Sequence, residues 1–144
     1  VELRKNGKII IATNGCFDIL HNGHINYLKK SKKLGDWLIV AVNSDTSFRK
    51  LKNKKSLVNN LKARMNLLSS LEFVDNVVHF NEATPQKLYS KILPNIITKG
   101  GDYTVSQVIG RKEILKIGGI VKIIPYEKNF STTLIKNKIR NKNN

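Results

Sequence analysis

At 144 residues and a formal net charge of +16, the chain is long enough for one packed domain without staples. A lone Cys16 sets aside any internal disulfide, and no apolar run reaches the roughly 18 residues of a membrane span, so an intracellular, cytoplasmic protein is expected. The charge is almost all lysine, with Arg4, Arg49, Arg64, Arg111 and Arg140 the only arginines. Without a cluster of arginines or a stacking platform of aromatics, a nucleic-acid-binding module is the weaker reading of that charge.

Nothing near the start reads as a signal peptide; residues 1–5 lead straight into the first strand. The missing initiator Met fits a domain excised from a longer chain. Residues 8–13 form a short apolar run suited to a strand buried on both faces. Asn14-Gly15 breaks it, and a helix is expected over 22–34, with Ile25, Leu28 and Leu34 inward and lysines outward. Residues 37–42 give the second strand and 61–71 a helix with Leu61, Met65, Leu68 and Leu71 on one side. Residues 76–80 make the third strand, and Thr84-Pro85 opens the next helix as cap and first position. Residues 95–98 and 120–124 complete the strands. A last helix opens at Ser131 and runs to about 140, leaving 141–144 to fray.

Strands alternating with helices imply a Rossmann-like α/β fold, a doubly wound parallel sheet of about five strands in a single domain over 1–144. Ligands of such sheets sit at the carboxyl ends of the strands, so the strand-to-helix junctions are where chemistry belongs. The first junction holds Gly15, Cys16, Phe17, Asp18, His21, Gly23 and His24. Two histidines three residues apart at a helix start can face one way, beside N–H groups that favour phosphate. A metal site is the competing use of that spacing, yet no third ligand accompanies the pair. His79, alone in a strand, reads as a packed or surface residue.

The segments Gly15-Cys16-Phe17-Asp18 and His21-Asn22-Gly23-His24 resemble those of the cytidylyltransferase-like nucleotidyltransferases, marked by an HxGH motif after the first strand. Lys99-Gly100-Gly101-Asp102-Tyr103 and Ser131-Thr132-Thr133 make the chain similar, over nearly its whole length, to the D-glycero-β-D-manno-heptose 1-phosphate adenylyltransferases. Those often form the C-terminal domain of a bifunctional heptose kinase/adenylyltransferase in ADP-heptose and lipopolysaccharide synthesis. The resemblance implies transfer of AMP from ATP, carried with Mg2+, onto a sugar 1-phosphate, in a homodimer and next to a sugar kinase domain. It also implies catalytic roles for His21, His24 and Lys52. Nucleotide contacts are implied for Gly15, Cys16, Phe17, Asp18, Gly23, Arg64, Gly101, Asp102, Ser131, Thr132 and Thr133, and no protein-held metal.

Departures fall in one loop. Ser56 and Leu57 stand where the heptose enzymes have Arg-Pro, Asn60 where they have Pro, and Lys62 where they have Glu. The alternative is a CTP-dependent cytidylyltransferase acting on glycerol 3-phosphate or a similar phosphate ester. The glycerol-phosphate enzymes carry an Arg before the last helix, and residues 126–130 here have none.

Overall fold

The computed structural model describes residues 2–51, 56–101 and 103–142. Its centre is a sheet of five parallel strands: β1 (Ile10–Gly15), β2 (Trp37–Asn43), β3 (Asn76–Phe80), β4 (Ile96–Gly100) and β5 (Ile120–Ile124), in spatial order β3-β2-β1-β4-β5. Order reverses between β1 and β4, which opens a crevice at their carboxyl ends. Side chains alternate across the sheet as the strand repeat demands. Ile11, Leu38, Val40, Val42 and Ile96 pack on one face against Leu28 of α2 (Asn22–Lys32) and Leu68 of α4 (Leu61–Ser69). Ala12, Ala41 and Ile97 face the other way, onto Tyr89 of α5 (Gln86–Ile92) and Ile114 of α6 (Arg111–Lys116). The last helix, α7 (Thr132–Lys142), has no buried residue.

The fold class agrees with the sequence reading, and several local expectations do not. Residues 2–5 form one helical turn, α1 (Glu2–Lys5), rather than extended chain. The first strand starts at Ile10 and runs on through Gly15, because β2 pairs with it that far. Pro85, not Thr84, sits at the cap of α5. Two short helices went unread: α3 (Asp45–Arg49) and α6. α7 starts at Thr132, with Ser131 capping it through a hydrogen bond accepted from Leu134 N at 3.0 Å.

Candidate active site

At the crevice between β1 and β4 lies a cleft of about 760 Å³. Its walls come from the β1–α2 turn, the end of β4, the β5–α7 connection and the start of α7. His21 and His24 stand together at the mouth of α2, rings stacked at 3.8 Å between centroids and 25° apart. His24 Nδ1 accepts a hydrogen bond from His21 N–H at 3.3 Å, which leaves Nε2 to carry the ring proton. His21 Nδ1 is buried without a hydrogen-bond partner among the described residues, an atom that a ligand donor or acceptor would satisfy.

Burial, helped by the neighbouring His21 ring, pulls His24 down to about 4, and burial also lowers His21. Both rings are therefore neutral donors near pH 7 in the free cleft, beside the unpaired N–H groups of a helix start. Gly23 allows this arrangement. A Cβ there would lie 2.9 Å from His21 Cε1 and 3.0 Å from Phe130 Cβ. Phe17 holds a left-handed φ of 49°, a strained backbone of about 1–3 kcal/mol that tends to mark functional turns. Its ring would meet a Cβ on Gly15 at 3.0 Å.

On and beneath the cleft floor lie polar groups that the sequence reading missed. Tyr27 OH shares a hydrogen bond with Thr13 Oγ1 at 2.7 Å and donates to Thr98 Oγ1 at 3.2 Å, which pairs with Ser31 Oγ at 2.9 Å. These hydroxyls satisfy one another and bolt α2 to both central strands, which fixes where its histidines stand. Lys99, the last residue but one of β4, reaches Asn14 Oδ1 at 3.3 Å and lies 5.0 Å from the Tyr103 ring. Burial lowers its basicity and raises that of the Cys16 thiol. A lysine closing an otherwise apolar strand and followed by two glycines was the available signal.

Of the residues expected at the site, the cleft brings together His21, His24, Gly15, Cys16, Phe17, Gly23, Ser131 and Thr132. Ser131 accepts as the cap of α7 and keeps its own O–H to donate; Thr132 Oγ1 reaches Ile19 O at 3.5 Å. Thr133 is exposed and off the cleft wall. Gly101, at φ 61°, is covered by the Tyr126 ring, 1.8 Å from where a Cβ would stand. Lys52 and Asp102 lie outside the described residues.

Two of the expected residues lie behind the cleft rather than on its wall. Arg64 does not face the cleft: it is fully buried, and its guanidinium donates to Asn59 O, Cys16 O, Asn43 O and Asp45 Oδ1 at 2.7–3.1 Å. Asp18 likewise turns inward. Its carboxylate accepts from Val58 N and Asn59 N at 2.9–3.0 Å and from Lys136 Nζ at 3.3 Å. Burial alone would raise the Asp18 carboxyl, but those hydrogen bonds outweigh it and hold the group below its usual range. Both residues shape the site from behind. Asn60, at one of the departures in the loop, caps α4 by accepting from Ala63 N at 2.9 Å.

Residues 12–139 match the model of the family described as cytidylyltransferase-like. The bifunctional protein HldE of Coxiella burnetii is 49% identical over 97% of this chain and 30% of its own. The protein of the same name from Proteus mirabilis is 51% identical over 96% and 29%. This chain thus spans about 30% of the length of those curated relatives. The lipopolysaccharide core biosynthesis protein from Thermoplasma volcanium superposes with a TM-score of 0.70 at 39% identity, covering 86% of this chain and 100% of that one. A motif-bearing turn, a parallel sheet with a cleft at its switch point and a match over nearly the full length agree: the chain belongs to the cytidylyltransferase-like family.

Proposed function

We propose that this domain transfers AMP from MgATP to D-glycero-β-D-manno-heptose 1-phosphate, giving ADP-heptose and pyrophosphate. The observation that carries the reading is the stacked pair His21 and His24 at the start of α2, sharing one cleft with Ser131 at the start of α7. Two helix starts and two neutral imidazole donors form a surface for a polyphosphate. The heptose substrate draws on the likeness to HldE and to a protein of lipopolysaccharide core biosynthesis.

In this reading an oxygen of the acceptor phosphate attacks the α-phosphorus in line, and the bond to the β-phosphate breaks with its electron pair leaving on pyrophosphate. The attacking group is already an anion, so positioning and charge stabilisation supply the catalysis. His24 Nε2–H and the His21 ring donate to oxygens whose charge grows, while Ser131 O–H, Thr132 and the N–H groups of α7 hold the triphosphate. Lys52 balances charge, Gly101 and Asp102 serve the nucleotide, and Thr133 supports the α7 end. Arg64 and Asp18 act through the turn they brace. In this reading Mg2+ arrives on the nucleotide as part of the substrate.

The relatives named bifunctional are about three times longer, and we assign the extra length to a sugar kinase domain joined to this one; a homodimer belongs to the same proposal. No described helix is long and apolar enough to cross a membrane, and dependence on ATP favours the cytoplasm. The test is pyrophosphate release from heptose 1-phosphate with ATP and CTP compared side by side in Mg2+. Release with ATP alone is expected. Release with CTP alone would overturn the adenylyl assignment, and release with neither would overturn the substrate.

A further inference from the structure

Lys99 is only partly exposed, and none of the ion pairs among the described residues involves it. Its neighbours are the Asn14 carbonyl oxygen and the face of Tyr103. An ammonium removed from water in this way is stabilised by an anion, and none of the carboxylates among the described residues pairs with it. Other described cations around the cleft and its turn differ. Lys30 pairs with Glu127, Lys136 with Asp18 and Arg64 with Asp45, and Lys128 stands exposed on the rim. Lys99 is also held from behind: Asn14 Oδ1 accepts from Tyr89 OH at 3.1 Å, and Tyr89, rising from α5 on the far face, is fully buried.

We propose that Lys99 receives the phosphate of the acceptor, presented by Asn14 and, behind it, by the hydroxyl of Tyr89. This rests on the transferase reading above. In-line displacement places entering and leaving groups on opposite sides of the α-phosphorus. The donors on α2 and α7 suit the leaving polyphosphate, whereas Lys99 issues from β4 on a separate wall of the same cleft. An acceptor dianion approaching a charged α-phosphate meets strong repulsion, which a fixed ammonium offsets. Lys99 keeps its protons throughout; the new P–O bond forms at the acceptor oxygen and the electron pair leaves with pyrophosphate. Lys99 would then set preference for phosphorylated acceptors, with Asn14 and Tyr89 as positioning residues.

Calorimetric titration of the intact chain separates the two substrates, using a non-hydrolysable ATP analogue with Mg2+ and, separately, heptose 1-phosphate and glycerol 3-phosphate. Lys99→Met should weaken phosphate-ester binding by about 10- to 100-fold and change affinity for the ATP analogue by less than about threefold. Lys99→Arg should recover much of the loss by keeping the charge. Tyr89→Phe, which removes one oxygen, should give a smaller loss confined to the phosphate ester; a purely structural hydroxyl would affect both ligands alike. Equal losses for both ligands in Lys99→Met, no loss, or a wild type that binds neither ester would overturn the proposal. If the wild type binds the esters through Lys99 yet releases no pyrophosphate, the transferase reading fails and the anion site stands.

Discussion

His24 illustrates how much one side chain's surroundings decide. Held neutral down to about 4, it donates a hydrogen bond without repelling a second neutral imidazole 3.8 Å away. Replacing His24 with Ala should lower turnover about 100- to 1,000-fold, the usual effect of removing one such donor, with the circular dichroism spectrum unchanged. Near-wild-type turnover would remove His24 from the chemistry. The same ring links stability to pH. Its folded value lies below the 6.5 of an unperturbed imidazole, so the unfolded chain binds the proton more readily. That stabilisation is complete above 6.5 and is lost as pH falls from there through about 4. Urea midpoints should therefore drop between pH 7.5 and 4.5, and His24→Gln should flatten that slope; an equal slope in both proteins would place the titration elsewhere. Asp18 acts in a separate window, because its lowered value puts its loss below 3.8.

At the scale of elements, the β1–α2 turn is the unit that matters, and it is braced from regions far along the chain. Asp18 ties it to residues 58 and 59 and to α7, while Arg64 of α4 ties it to the carboxyl end of β2 and to α3. Asp18→Ala leaves the N–H groups of Val58 and Asn59 without their acceptor, at a cost of about 1–3 kcal/mol. Faster hydrogen exchange at those two amides, with the sheet still protected, is the expected signature; unchanged exchange would show that Asp18 does not hold the loop. The sequence made the turn itself legible, since Gly15, Gly23 and the two histidines lie within ten residues. It could not show that Asp18 and Arg64 face inward, because their partners are separated by up to 118 residues and a charged residue inside a phosphate motif reads as a ligand. The helices α3 and α6 were invisible for a related reason. At five and six residues they fall below the length at which local periodicity or intrinsic propensity is informative. Tertiary contacts make them, as when Ser47 Oγ of α3 donates to Glu82 O and Ile114 of α6 fills the core.

For the molecule as a whole, the apolar runs of β1, β2 and β4 identified a parallel sheet covered on both faces, because only such strands can be apolar without alternation. Net charge was a poorer guide, since the value of +16 alone fits a nucleic-acid surface as well as a polyanion-binding enzyme, and only the scarcity of arginine weighed against the former. The structure separates these by position. The cleft collects Lys30, Lys99 and Lys128 beside two helix starts, while other lysines such as Lys62, Lys91, Lys112 and Lys138 stand exposed along the chain. A distributed field of this kind attracts small anionic substrates over a Debye length that shrinks from roughly 20 Å at 0.02 M salt to about 6 Å at 0.3 M. KM for MgATP should therefore rise by about tenfold across that range, with kcat nearly constant. Binding to single-stranded RNA, followed over the same salt series, should stay weak throughout. Tight RNA binding that collapses steeply with salt, alongside a salt-independent KM, would assign the charge to nucleic acid rather than to the substrates of the cleft.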